Sequence, residues 1–256
     1  MPFVQRNGLR FYQFETLKVH HAVFTRHGGV SPEPWNSLNL GGTVGDETER
    51  VEQNRLLSFK ALECKPESIF DAWQVHSADV VCVDAPRNAS EPYHKADIIL
   101  TDKPEVTLFM RFADCVPIMF HDPNKGVIGI SHAGWMGTVR NVAGATVNAM
   151  CNEYGSNPSD IVACIGPSIG PDHYEVGDDV ISQASQLFGE DSKLVLQPRE
   201  QKIHFDLWKA NHLLLEKAGV TKIELAGICT ACHTNDWFSH RAEKGMTGRF
   251  GALISL

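Results

Sequence analysis

Six β-compatible runs crowded between residues 69 and 131 constrain the fold of this chain more than any other feature. They cover residues 69–75, 79–83, 96–100, 106–111, 116–120 and 126–131, and the last two flank the turn Asp122-Pro123-Asn124. Strand-like runs also open the chain at 9–12 and 21–25 and recur at 161–165 and 222–227. Helical spacing is confined to four stretches. Residues 47–62 carry Val51, Leu56, Leu57 and Ala61 among charges, and residues 138–151 carry Val139, Val142, Ala143, Thr146, Val147 and Met150; the others are 178–187 and 205–218. Strands and helices do not alternate regularly, and no Gly-rich dinucleotide fingerprint follows a strand, which argues against a Rossmann domain. The pattern predicts an α/β fold of mixed β-sheets flanked by helices.

With 256 residues, 43% of them hydrophobic, and no Pro/Ser/Gly-rich linker or charge block, the chain reads as one domain over 1–256. A net charge of -8 without a Lys/Arg cluster argues against a nucleic-acid surface and favours small-molecule partners. The opening residues lack an apolar signal core, and no run approaches the roughly 18 apolar residues of a membrane span, so no membrane partner and a cytoplasmic location are expected. In that compartment the seven cysteines are expected to be thiols, most of them buried.

Three stretches place a metal-capable side chain beside turn chemistry at the edge of an apolar run: Trp73-Gln74-Val75-His76, Ala113-Asp114-Cys115 and Ser131-His132-Ala133-Gly134-Trp135. His132 is predicted at the C-terminal end of a strand, just before a helix. Taken singly, each imidazole is more often an ordinary hydrogen-bonding histidine, and Cys115 a small hydrophobe. Taken together, two imidazoles and a thiolate suit Zn²⁺ or copper, with a fourth position open for water or substrate. Arg26, in the loop Arg26-His27-Gly28-Gly29, reads as a surface arginine or an anion anchor, and Asn39 as a substrate contact or a turn cap. Asp114 is a candidate base or ligand-orienting group, and Arg249 a weaker substrate contact. Cys229-Thr230-Ala231-Cys232-His233 satisfies the C-x-x-C-H pattern of haem attachment, but an exported protein would be needed. A second zinc site there would require partners that the neighbouring sequence does not supply, which leaves a structural role as the expectation.

A resemblance extends over nearly the whole chain. Thr25-Arg26-His27-Gly28-Gly29-Val30-Ser31, Ser37-Leu38-Asn39-Leu40-Gly41, Gln74-Val75-His76-Ser77-Ala78-Asp79, Ala113-Asp114-Cys115-Val116-Pro117, His132-Ala133-Gly134-Trp135, Ile165-Gly166-Pro167 with Tyr174-Glu175-Val176, and Thr247-Gly248-Arg249 occur in the order seen in the laccase-domain family. That family is known as polyphenol oxidase, peptidoglycan editing factor and metal-dependent purine nucleoside phosphorylase. The resemblance implies a four-layer α-β-β-α sandwich with a metal held by His76, Cys115 and His132. It implies a zinc-dependent purine nucleoside phosphorylase that takes phosphate with adenosine, inosine or methylthioadenosine and also deaminates adenosine. Asp114 and Arg26 are then the expected catalytic groups, and Arg26, Asn39 and Arg249 the expected substrate contacts. The alternatives are copper-dependent phenol oxidation, editing of a peptidoglycan precursor with Arg26 as anion clamp, and metal-free thiol hydrolysis by Cys115 and His132. The chain departs from the family at Met136, where arginine is usual, and at His240-Arg241-Ala242, where a tyrosine and paired arginines are usual.

Overall fold

Two six-stranded mixed sheets carry most of the hydrophobic residues, and the alternation of side chains along each strand sorts those residues into three cores. A computed structural model describes residues 2–88 and 90–256; Met1 and Ala89, both inside the expected 1–256 unit, fall outside them. The first sheet runs in the order Phe3–Arg6, Leu9–Tyr12, His20–Phe24, Phe250–Ser255, Thr107–Phe112, Ile69–Asp71. The second runs Lys222–Leu225, Val162–Ile165, Val116–Asp122, Val127–Ala133, Ile98–Thr101, Val80–Cys82. Within the strand Phe250–Ser255, Phe250, Ala252 and Ile254 enter the core between the sheets, while Leu253 enters a core on the opposite face. In the second sheet Met119 and Cys164 meet the first sheet, and Ile118, Phe120 and Ile165 face the helices Val142–Tyr154, Asp178–Phe188 and Leu207–Lys217. Phe59 and Ala61 of the helix Thr48–Ala61 cover the outer face of the first sheet. The layers are therefore helix, sheet, sheet, helix, and strands buried on both faces explain the near-continuous apolar runs in the sequence.

Several elements differ from the sequence expectation. The strand expected over 69–75 ends at Asp71, because Trp73 makes only an isolated bridge, to Lys95. The helix expected over 138–151 is two helices, Trp135–Val139 and Val142–Tyr154, broken at Asn141, whose φ of 58° puts it in the left-handed region while its side chain caps the second helix. Phe250–Ser255 was not foreseen, nor was the hairpin Leu196–Arg199 with Lys202–Phe205. Only Cys164 and Cys229 are buried, contrary to the expectation for most cysteines, although all seven are free thiols. No helix among the described residues is long and apolar enough to cross a membrane.

Candidate metal centre

Two of the three candidate ligands lie where the chain crosses from one sheet to the other. Thr107–Phe112 of the first sheet and Val116–Asp122 of the second are joined by Ala113-Asp114-Cys115 alone, and this tight crossing holds Asp114 at a φ of 81°. A longer crossing from Ile69–Asp71 to Val80–Cys82 carries His76, also in the left-handed region at a φ of 60°. Left-handed backbone is uncommon for residues other than glycine and persists only where surroundings enforce it. Arg140 contributes to that enforcement by donating to the His76 carbonyl at 2.7 Å. The third ligand, His132, sits next to last in Val127–Ala133, as the sequence predicts, directly before the helix that starts at Trp135.

His76, Cys115 and His132 present ligand atoms that all lie within 4.8 Å of one another. Gly134 makes this possible: a Cβ there would come to 2.9 Å from Cys115 Sγ and 3.2 Å from His76 Cδ2. Burial pushes the Cys115 thiol up, but the charge and hydrogen bonds of His132 and then His76 more than reverse it and bring it down to about 6. Burial likewise pulls His132 down, while the facing Cys115 thiolate and Asp97 raise it to about 9. Each of the two therefore favours the charged form of the other, and a deprotonated sulfur is what a metal ligand requires. The donor set fits a soft cation: one anionic sulfur, two imidazoles, and a three-ligand group that leaves a position open.

Asp97, a residue the sequence did not flag, organises the group. Fully buried, it accepts from His132 Nδ1 at 2.8 Å through Oδ1, while Oδ2 accepts from the backbone N–H groups of Val75 at 3.0 Å and Ser77 at 2.7 Å and from Ser77 Oγ at 3.1 Å. One carboxylate therefore fixes the ring of one ligand and the loop that carries another. Burial raises its pKa, but the hydrogen bond and charge of His132 and the N–H donors outweigh that and hold it below the ordinary aspartate value. Because Nδ1–H is donated to Asp97, the other ring nitrogen of His132 is left for a metal.

The three ligands open into a cavity of about 760 Å³, within the ~300–1,000 Å³ range of small-molecule sites. Arg55, Arg111, Arg241 and Arg249 line it, together with the aromatic residues Trp73, Tyr93, Phe112, Trp135 and Tyr174. Arg111 is neutralised by Asp71 at 2.6 Å, whereas Arg55 spends its bonds on the Leu40 carbonyl and Arg249 on those of Thr247 and Gly248. Burial, then the neighbouring Arg111, lowers the Arg55 pKa, and burial lowers that of Arg249. These are desolvated cations with no carboxylate partner among the described residues.

Of the sequence-derived substrate residues, Arg249 is placed in the cavity and two are not. Arg26 is 8% exposed, and its guanidinium spends four of its five N–H donors on Asn36, Thr234 and Glu243 while lying over the Phe238 ring, so it does not present a fork to an anion in the cavity. Asn39 is fully buried and bonded to Gly41, Asp46 and the backbone N–H of Arg249, which makes it the post on which the Arg249 segment hangs. Asp114 does line the cavity, but its oxygens accept from Thr230 Oγ1 at 2.7 Å and Arg241 N at 2.6 Å. It holds the 229–241 segment in place instead of standing free as a base. Met136 does not line the cavity. Arg55 and Arg111 were missed because nothing local distinguishes them from surface arginines, whereas Arg241 stands in the stretch 240–242 that reads in the sequence only as a departure from the family pattern.

The two-sheet sandwich with a His–Cys–His group, two of its members at crossings between the sheets and the third at a strand end, defines an α/β protein of the laccase-domain class. The chain belongs to the family described as multi-copper polyphenol oxidoreductase laccase, whose sequence pattern matches residues 20–256. A Deinococcus radiodurans protein named purine nucleoside phosphorylase is 39% identical over 250 residues, spanning 97% of this chain and 94% of its own length. The purine nucleoside phosphorylase YlmD of Geobacillus stearothermophilus is 38% identical over 239 residues, 90% of this chain and 87% of its own. A crystal structure of YlmD from that organism superposes with a TM-score of 0.91 at 34% identity, over 99% of this chain and 98% of the other. A Bacillus licheniformis hypothetical protein, YfiH, superposes with a TM-score of 0.92 at 34% identity, over 100% of this chain and 99% of the other.

Proposed function

We propose that this chain is a zinc-dependent purine nucleoside phosphorylase acting on adenosine, inosine and methylthioadenosine, with adenosine deamination as a second activity of the same cavity. The observation that carries the reading is the joint lining of one cavity by the His76–Cys115–His132 group and by arginines without carboxylate partners, Arg55 and Arg249. Phosphorolysis needs a bound phosphate, and a desolvated guanidinium is the side chain best matched to its oxygens. The partly exposed rings of Trp73 and Tyr93, with centroids 6.3 Å apart, offer apolar faces on which a purine can stack. His76, Cys115 and His132 would hold the zinc, which supplies a Lewis-acid charge for activating an oxygen nucleophile. Asp97 keeps His132 in the binding tautomer, and Asp114 positions the segment that carries Arg241. The relatives named purine nucleoside phosphorylase support the same substrate class.

The test is phosphate-dependent release of hypoxanthine from inosine by zinc-loaded protein, with Cys115→Ser beside it. Release that requires phosphate and disappears in the variant is expected. Release that is independent of phosphate, or unchanged in the variant, would overturn the assignment. One observation favours a second reading, metal-free thiol hydrolysis: Cys115, His132 and Asp97 form a nucleophile, base and orienting carboxylate in sequence of contact. Activity that survives exhaustive chelation would select it.

A further inference from the structure

The motif Cys229-Thr230-Ala231-Cys232 finds in the tertiary structure the partner that its own neighbourhood lacks. His173, from the glycine-proline loop that follows Val162–Ile165, brings Nδ1 to 3.5 Å from Cys232 Sγ and 3.8 Å from Cys229 Sγ. All three ligand atoms lie within 4.8 Å of one another, and none belongs to the His76–Cys115–His132 group. The geometry points to a second cation site, a three-ligand Cys–Cys–His site for Zn²⁺ built from His173, Cys229 and Cys232.

Three observations carry it. With Zn–S of ~2.3 Å and Zn–N of ~2.0–2.1 Å, a tetrahedral ion holds a sulfur and a nitrogen donor about 3.5–3.6 Å apart, which the observed separations bracket closely. The donors are also fixed in advance by backbone contacts. Ser168 and Cys229 form a parallel bridge, with Ser168 N donating to Ile228 O at 3.1 Å and Thr230 N to Ser168 O at 3.0 Å. His173 N closes a turn onto Gly170 O at 3.1 Å, and His233 N closes the Cys-x-x-Cys turn onto Cys229 O at 3.2 Å. Finally, Gly170 N donates to Cys229 Sγ at 3.2 Å, the kind of outer contact that steadies a ligating sulfur. Gly170 has to be glycine for this approach, since a Cβ would meet Trp208 at 3.0 Å and Cys229 Cβ at 3.1 Å.

Cys229 is buried, whereas His173 and Cys232 are exposed, so an ion reaches the site from solvent and its fourth ligand is water or a solute. Binding forms two Zn–S bonds and one Zn–N bond, releases the two thiol protons to buffer and uses the His173 lone pair, with no change of oxidation state. The ion would tie the loop ending at His173 to the turn at Cys229–Cys232. The loop leads into Tyr174, and the turn, through Thr230 and Arg241, holds Asp114, so the site braces one wall of the cavity.

The experiment uses reduced, chelator-stripped full-length protein and Zn²⁺ alone, counted by native mass spectrometry. Wild type is expected to bind two ions per chain, Cys115→Ser one, Cys232→Ser one, and the double variant none. Within the Cys115→Ser background, Cys232→Ser and His173→Ala should each weaken the remaining ion by more than the ~10–100-fold that loss of an outer hydrogen-bond partner costs. Co²⁺ in place of zinc should give Cys115→Ser protein a thiolate-to-cobalt charge-transfer band that disappears with Cys232→Ser. Cys232 and His173 are exposed, so their replacement should leave the fold intact, and circular dichroism checks the fold of the Cys115→Ser background. A single ion in wild type, its complete loss in Cys115→Ser, or an ion in that background indifferent to Cys232→Ser and His173→Ala would overturn the site.

Discussion

Asp97→Asn should cost metal affinity through a proton, not through a ligand. The carboxylate meets four donors: His132 Nδ1 on Oδ1, and Val75 N, Ser77 N and Ser77 Oγ on Oδ2. An amide has a single acceptor oxygen. If that oxygen replaces Oδ1, the NH₂ group confronts the two N–H groups of the His76 loop, and each buried orphan costs about 1–3 kcal/mol. The favoured orientation therefore keeps the oxygen on the loop and turns NH₂ toward His132 Nδ1, which has to become an acceptor. The ring proton then moves to the nitrogen that should bind the cation. Loss of such an outer partner typically costs ~10–100-fold in metal affinity, or about 1.4–2.7 kcal/mol. The assay is zinc competition against a chromophoric chelator, with folding checked by circular dichroism. Ser77→Ala is the control, because it removes one donor to Asp97 without touching the His132 tautomer, and its zinc affinity should stay within about threefold of wild type. A folded Asp97→Asn protein that binds zinc as tightly as Ser77→Ala would refute the tautomer argument.

Three further outcomes are expected. Gly134→Ala has an allowed backbone, at φ -68° and ψ 178°, so its whole effect is steric pressure on Cys115 and His76; zinc affinity should fall by about tenfold or more, with ~1–3 kcal/mol of overpacking cost, and unchanged affinity in a competition assay would contradict the close packing of the ligands. Arg249→Met should raise KM for phosphate by roughly 10–100-fold, from the ~1.5–3 kcal/mol of a hydrogen bond to a charged group, while KM for inosine moves little; an equal rise in both would place Arg249 elsewhere in the reaction. His21 accepts from Phe14 N at 2.8 Å through Nε2 and contacts Val19 O at 2.8 Å through Nδ1, and burial lowers its pKa. The unfolded chain then binds the extra proton first, so this contribution is complete above the unfolded value of about 6.5 and is lost as pH falls through the folded pKa. Urea unfolding across this range should show a shallower pH slope for His21→Gln than for wild type, and identical slopes would remove His21 as the cause.

What the sequence determined by itself is what period and local chemistry encode. The apolar runs of the second sheet survive as strands because residues such as Ile98, Ile118 and Ile130 are buried on one face or the other whatever their partners are. His76, Cys115 and His132 were legible because each stands beside turn residues at the end of such a run, and the order of motifs matched a family to which the chain belongs. Tertiary structure alone decided the rest. Phe250–Ser255 is an unremarked short run until His20–Phe24 and Thr107–Phe112 close on its two sides. Arg26 and Arg249 are the same residue type beside similar glycine-bearing loops, yet Asn36, Thr234 and Glu243 absorb one guanidinium and only the other reaches the cavity. Asp97 becomes the support of two ligands, and His173 the partner of Cys229 and Cys232, only when segments far apart in the chain are packed together. Periodicity records which face of an element is apolar; which polar groups meet across elements is fixed by packing, and each of these sites is made of such meetings.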